Sequence, residues 1–113
     1  MNETATAAEQ HRDIFLPQAA EIVRTEQMTD FEKLFEIRLA SGEPLGQAPG
    51  QFVEVSLPGV GEAPISVSSC SDKEQTFELV VRKVGRFTTA LHEMGEGARI
   101  GIRGPFGSHF PVE

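Results

Sequence analysis

The chain has 113 residues, and its 10 Lys and Arg against 17 Asp and Glu give a formal net charge of −7, which argues against nucleic acid as a partner. The single cysteine, Cys70, excludes an internal disulfide and an iron–sulfur cluster bound by this chain alone. No apolar run approaches the roughly 20 residues that span a bilayer, and the N-terminus lacks the features of a signal peptide, so we expect a cytoplasmic protein with one domain.

Residues 1–15 are polar and without periodicity, and we expect a flexible segment there, ahead of a domain that covers residues 16–113. Six short runs then alternate apolar and polar residues with the period of a strand. The predicted strands are residues 19–26, 34–39, 51–55, 63–69, 77–81 and 98–103. Six such strands separated by turn residues predict an all-β fold, a small antiparallel barrel.

The second of these runs leaves an alternative open. Asp30 could cap a helix over residues 30–40, and the residues that follow it favour helix. The strict alternation of Phe35, Ile37 and Leu39 favours a strand instead, and we prefer the strand.

One segment between the last two strands departs from the strand pattern. Four apolar residues have the i, i+3, i+4, i+7 spacing of one helical face: Phe87, Ala90, Leu91 and Met94. The sequence therefore predicts a short helix over residues 87–94, with Gly95 as its C-terminal stop.

The start of this helix has features of an anion site. A helix N-terminus presents unpaired N–H groups, Gly85 allows close approach, and Thr88 and Thr89 add hydroxyls. Three cations accompany them in an acidic chain: Arg82, Lys83 and Arg86. These residues could hold a pyrophosphate, while an ordinary capped helix with surface cations remains the alternative.

The stretch GEAPISVSSCS at residues 61–71 places Ile65 and Val67 on one face of a strand and hydroxyl side chains on the other. Pro64 begins this strand and suits an edge or a bulge, because proline cannot donate to a ladder. In a barrel, this strand can lie beside the end of the strand at 77–82, with the helix start next to both. The resulting groove suits a ligand with a flat hydrogen-bonding ring at one end and a diphosphate at the other.

Three blocks in order carry a resemblance to a known family. They are PGQFVEVSLPGVGEAPISVSS, FELVVRKVGRFTTALH and GIRGPFGSHFP. Over about residues 16–112 the chain resembles the flavin-binding barrel of the ferredoxin–NADP reductase superfamily, most of all the gamma (NAD(P)H oxidoreductase) subunit of cytoplasmic Ni/Fe hydrogenases and sulfhydrogenases. The resemblance implies a six-stranded antiparallel Greek-key barrel with one short helix, FAD as cofactor, and electron transfer in an NAD(P)H-linked oxidoreductase.

The resemblance also implies where the flavin binds. The family's Arg-x-Tyr-Ser motif matches Ala63, Pro64, Ile65 and Ser66. Ser66 keeps the hydroxyl expected near flavin N5 and is the residue we expect to act in catalysis. Ala63 stands where many members place an Arg on the phosphates, so a nearby cation is expected to replace it. The remaining expected cofactor contacts are Val80, Val81 and Arg82 along the flavin, and Gly85, Arg86, Phe87 and Thr88 at the diphosphate.

Family members continue into a nucleotide-binding domain, whereas this chain ends at Glu113, without a G-x-G-x-x-G motif. We expect an excised domain, a truncated product or one half of a split reductase, inactive alone. Its expected partners are an NAD(P)-binding domain or subunit and iron–sulfur redox subunits of the hydrogenase type. A cofactor-free barrel that serves as an interaction module is the alternative. The three histidines, His11, His92 and His109, share no ligand spacing, so no metal site is expected.

Overall fold

The computed structural model describes residues 17–45, 51–71 and 75–107. The predicted N-terminal segment, His11 and His109 lie outside these residues. Six strands and one helix follow in chain order: β1 (Gln18–Gln27), β2 (Glu32–Leu39), β3 (Phe52–Leu57), β4 (Gly61–Ser71), β5 (Thr76–Arg82), α1 (Arg86–His92) and β6 (Arg99–Phe106). The strands form a closed antiparallel barrel in the order β1-β2-β5-β4-β3-β6, which confirms the predicted fold.

Each predicted strand is present, but pairing with neighbouring strands gives some of them first and last residues that differ from those predicted by the periodicity. The helical alternative for residues 30–40 is wrong, because Glu32–Leu39 is a strand paired with β1 on one side and β5 on the other. β4 begins at Gly61 rather than at 63, so Pro64 lies inside it. β6 continues through Gly104 to Phe106. Ladder bonds to partners extend strands beyond their alternating cores.

The helix is one residue earlier at its start and two shorter at its end than predicted. Its C-cap is Glu93, and the N–H groups of Glu93 and Met94 bond the carbonyl oxygens of Ala90 and Leu91 at 3.2 and 3.0 Å. These i→i−3 bonds tighten the last turn and end the helix before Gly95.

The barrel interior is filled by the apolar side chains that alternate along the strands. Leu91 of α1 adds to this core from one end of the barrel. The buried core residues are Ala20, Ile22, Phe35, Ile37, Leu39, Val53, Val55, Leu57, Val67, Phe77, Leu79, Val81, Leu91, Ile100 and Ile102. The outward positions between them are therefore the ones available to a ligand.

A polar network crosses four strands on the outer face. Arg24 on β1 donates to Glu36 on β2 at 3.0 Å and lies 3.5 Å from Glu78 on β5. Thr76 donates to Glu36 at 2.9 Å, and Ser69 on β4 donates to Glu78 at 2.7 Å. The hydrogen bond from Arg24 holds the pKa of the Glu36 carboxyl below its ordinary value; burial opposes this and Thr76 adds to it.

Candidate cofactor-binding site

The ladder between β4 and β5 stops partway along both strands. It runs from Ser71 and Thr76 to Val67 and Leu79, and no pair is recorded beyond that point. β4 continues through residues 61–66 paired only with β3, and β5 continues through residues 80–82 paired only with β2. One backbone edge of each strand therefore faces the other without ladder partners, beside the predicted flavin residues.

Pro64 fits this edge. The N–H of Val67 bonds the carbonyl oxygen of Gln51 at 2.8 Å, so the backbone of Val67 faces β3. Alternate residues face alternate neighbours, so the backbone groups of Pro64 and Ser66 face the edge on the β5 side. A proline at that position removes no ladder bond, because none is formed there. Pro64 thus does not end the pairing with β3, and it leaves an open edge toward β5.

The side chains of β4 divide between the two faces as predicted. Ser66 is exposed on the outer face, whereas Ile65 is half-buried and packs against the core. Across the end of the ladder, Val80 is exposed on the outer face of β5, with 37% of its surface accessible. The hydroxyl of Ser66 and the apolar side chain of Val80 therefore face the same side of the barrel wall.

An aromatic residue beside Ser66, Phe52, was missed as a site candidate. Phe52 is the β3 partner of Ser66, and its ring lies 5.1 Å from that of Phe106, at 30°. Gly104, at φ +112, lets β6 turn there, and a Cβ on it would meet the Phe106 ring at 3.0 Å. Since Val53 faces the core, alternation alone could have placed Phe52 on the outer face, whereas its position beside Ser66 follows from the register of β3 and β4.

The loop before α1 is organised by the Thr88 side chain. Its Oγ1 accepts hydrogen bonds from the N–H groups of Val84 at 2.8 Å and Gly85 at 3.0 Å, and donates to the Gly85 carbonyl at 3.2 Å. The first helical bond runs from Thr89 N–H to that same carbonyl at 2.9 Å. The N–H groups of Arg86, Phe87 and Thr88 therefore have no partner within the helix, whereas the Thr88 hydroxyl is engaged.

Gly85 leaves a space beside these N–H groups. Its backbone is extended at φ −171, a conformation that any residue adopts. A Cβ built on Gly85 meets no atom of the described chain within 4 Å. The chain itself therefore does not require glycine here. A ligand that lies against the backbone would require it, because a side chain would occupy the same space.

α1 is fixed to β2 and β5 by its last residue. The Nε2 of His92 lies 2.7 Å from the carbonyl oxygen of Val81, and Lys33 Nζ donates to the carbonyl oxygen of His92 at 2.7 Å. His92 is buried and meets the Phe35 ring edge-on at 6.0 Å between centroids. Among the described residues, no group of His, Cys, Asp and Glu could hold a metal ion.

The three predicted cations differ in what they contact. Arg82 pairs with Glu32 at 3.2 Å and lies over the Phe31 ring at 5.5 Å. Lys83 and Arg86 are exposed, and no ion pair is recorded for them within the described ranges. The positive charge available at the helix start is therefore that of Lys83 and Arg86, while Arg82 shares its charge with Glu32.

The structure thus brings most of the predicted site residues to one end of the β4–β5 ladder. Three of them face the core: Val81 is 2% exposed and belongs to it, and Ile65 and Phe87 are half-buried and pack against it. A concavity of about 320 Å³ lies at the other ends of β3 and β6 and contains none of the predicted residues; its lining is Pro17, Gln18, Ala19, Ser56, Pro58, Arg99, Ile100 and Gly101. Over the described residues, no helix is long and apolar enough to span a membrane.

Known proteins are similar to this chain in sequence and in fold. The family model of the oxidoreductase FAD-binding domain matches residues 19–110. The chain is 41% identical over 95 residues to the sulfhydrogenase 1 subunit gamma of Pyrococcus furiosus, which covers 81% of this chain and 32% of that protein. It is 35% identical over 96 residues to the probable dihydroorotate dehydrogenase B (NAD(+)) electron transfer subunit of Methanopyrus kandleri. This match covers 85% of this chain and 35% of that protein.

A solved structure of the ferredoxin reductase in carbazole 1,9a-dioxygenase has a TM-score of 0.73 and 25% identity to this chain. The match covers 83% of this chain and 30% of that one. The chain therefore spans about a third of the length of these relatives.

Proposed function

The chain belongs to the family of oxidoreductase FAD-binding domains, and we propose that it is the flavin-bearing electron-transfer module of an NAD(P)H-linked oxidoreductase of the sulfhydrogenase gamma type. FAD is its cofactor. The hydrogenase assignment is supported by 41% and 42% identity to the gamma subunits of sulfhydrogenases 1 and 2 of Pyrococcus furiosus. The proposed partners are an NAD(P)-binding domain or subunit and iron–sulfur redox subunits.

The observation that carries the site assignment is the end of the β4–β5 ladder beside the Gly85 loop. A flat heterocycle with donors and acceptors at its rim needs backbone or hydroxyl partners in its plane, and the open edge at Ser66 offers both. The exposed side chain of Val80 offers apolar contact next to it. The residues present therefore suit the isoalloxazine end of FAD.

The diphosphate end fits the loop that follows β5. The first-turn N–H groups of α1 and the charges of Lys83 and Arg86 favour an anion there. The absence of a side chain at Gly85 leaves the backbone accessible to a phosphate. Arg86 and Lys83 would replace the charge that Ala63 does not supply, and Thr88 would act through the loop that its hydroxyl holds in place.

FAD, when bound, supplies hydride and single-electron chemistry that no side chain provides. The residues of this chain would bind and orient it. We propose that Ser66 donates its hydroxyl hydrogen at the flavin N5 edge, from a rigid strand, and that Val80 packs near the ring. The hydrogen bond between His92 and Val81 fixes the end of α1 to β5.

Titration of the purified, flavin-free chain with FAD tests the proposal. Binding should quench FAD fluorescence and give the visible absorption bands of protein-bound oxidised flavin. The electron-transfer role requires in addition that NADH or NADPH bleach this flavin once an NAD(P)-binding domain of a sulfhydrogenase gamma relative is supplied. A chain that takes up no flavin would refute the assignment, and bound flavin that stays oxidised in the reconstituted mixture would refute the NAD(P)H-linked role.

A further inference from the structure

An exposed aromatic platform lies next to the proposed diphosphate loop. Phe31, in the turn between β1 and β2, is 52% exposed, and Val84 is 71% exposed. The two are adjacent because the N–H of Lys83 bonds the carbonyl oxygen of Phe31 at 2.8 Å. The guanidinium of Arg82 lies over the Phe31 ring at 5.5 Å. We call Phe31, Arg82 and Val84 the Phe31 platform.

The platform is held in place although it contributes nothing to the core. Thr29 Oγ1 accepts hydrogen bonds from the N–H groups of Phe31 at 3.1 Å and Glu32 at 2.9 Å, which fixes the turn. Glu32 in turn pairs with Arg82 at 3.2 Å and holds its guanidinium above the ring. A fixed aromatic face that remains open to solvent is suited to bind a second flat ring with little loss of conformational entropy.

The position of the platform matches the order of the groups along FAD. β4, β5 and β2 are successive strands of the barrel. Ser66 lies on β4, the Gly85 loop follows β5, and Phe31 immediately precedes β2. The proposed isoalloxazine position, the proposed diphosphate position and Phe31 therefore follow one another across the barrel wall, and the group that follows the diphosphate in FAD is the adenosine.

We propose that the Phe31 platform binds the adenine of FAD by stacking, and that it is what makes this chain prefer FAD to FMN. This inference rests on the proposed function. Purine bases stack on aromatic side chains irrespective of hydrogen-bond readout, and a guanidinium adds a cation–π contribution. Without the adenine, FMN has no group that reaches the platform.

Parallel titrations of the full 113-residue chain with FAD and with FMN test this proposal. Phe31→Ala should lower FAD affinity roughly 5- to 100-fold and leave FMN affinity unchanged. Phe31→Trp should keep FAD affinity, because it retains a flat π-face, whereas Phe31→Leu should lose most of it. Val60→Ala, which trims another exposed apolar side chain in the turn after β3, is the matched control and should change neither affinity.

The outcomes distinguish a failure of this inference from a failure of the proposed function. A wild-type chain that binds neither flavin refutes both. A wild-type chain that binds FAD, with Phe31→Ala unchanged or weakened equally for FAD and FMN, refutes the platform and leaves flavin binding intact. If Phe31→Ala fails to fold, the comparison of Phe31→Leu with Phe31→Trp decides, since equal FAD affinity in these two variants excludes stacking.

Discussion

The Nε2 of His92 lies 2.7 Å from the carbonyl oxygen of Val81, the last buried residue of β5. A carbonyl oxygen only accepts, so Nε2 carries the proton and donates. Both residues are buried, and the bond joins the last residue of α1 to the end of β5. It thereby fixes the loop between them, where the diphosphate is proposed to bind.

His92→Phe should destabilise the protein by about 1–3 kcal/mol, because it keeps a ring but removes the donor and leaves a buried carbonyl with one bond fewer. Denaturant unfolding of the flavin-free chain measures the loss. His92→Gln retains an N–H donor and should lose less. Equal stability of wild type and His92→Phe would show that the bond adds nothing.

Gly85→Ala should lower FAD affinity roughly 5- to 100-fold, because a Cβ would lie where the phosphates are proposed to approach the backbone. The stability of the flavin-free chain should hardly change, since the Cβ meets nothing within 4 Å and the extended backbone suits alanine. Gly95→Ala also points into open space, at the other end of the helix, and is the control. FAD titration that gives equal affinities for both variants would place the diphosphate elsewhere.

Arg86→Gln should weaken FAD binding roughly 2- to 5-fold at low salt, and the difference from wild type should shrink as salt screens the exposed charge. FAD titration across a series of salt concentrations measures this. Arg38→Gln removes an exposed cation near the far end of β2 and should have no effect. A salt-independent loss, or the same loss in Arg38→Gln, would contradict a local role of Arg86.

Ser66→Ala should leave the fold and most of the FAD affinity intact, because one neutral hydrogen bond contributes about 0.5–1.5 kcal/mol. Reduction of the bound flavin should nonetheless slow about 10-fold or more, since the lost donor would act where charge develops. Stopped-flow bleaching by NAD(P)H, with an added nucleotide-binding domain, measures the rate. Ser68→Ala, two residues further along the same exposed face, should reduce at the wild-type rate. An unchanged rate in Ser66→Ala would show that Ser66 has no role in flavin reduction, and it would leave the barrel fold and flavin binding unaffected.

Glu36→Gln should destabilise the protein by about 1–2 kcal/mol at neutral pH. The hydrogen bond from Arg24 depresses the pKa of the Glu36 carboxyl in the folded state. A depressed pKa adds stability that is complete above the unfolded value of about 4.3 and is lost as the pH falls through the folded value. The stability difference between wild type and Glu36→Gln should therefore close in acid.

Denaturant unfolding at a series of pH values measures that difference. Glu26→Gln is the control for Glu36→Gln, because Glu26 also contacts Arg24 but is 58% exposed. A gap between wild type and Glu36→Gln that persists in acid would mean that the charge of Glu36 is not the source of the stability.

The barrel itself could be predicted from the sequence, because each strand buries one face. The alternation of Phe35 with Ile37, and of Val53 with Val55, indicates which side chains are buried, and it does not depend on which strands are neighbours. The helix after β5 was also visible, from the spacing of its apolar residues, and the GEAPISVSS stretch indicated a strand with a polar outer face. These are local properties, which depend only on the order of residues within each segment.

Which strands pair, and where a ladder stops, is decided only in the folded chain. Pro64 indicated an edge, but the open side is the one toward β5, because β4 keeps its partner β3 from Gly61 to Ser66 and loses β5 beyond Val67. Likewise Arg82 and Phe31 are 51 positions apart in numbering and meet because β2 pairs with β5. Contacts between strands depend on register, and register is set by the packing of the whole barrel rather than by either sequence alone.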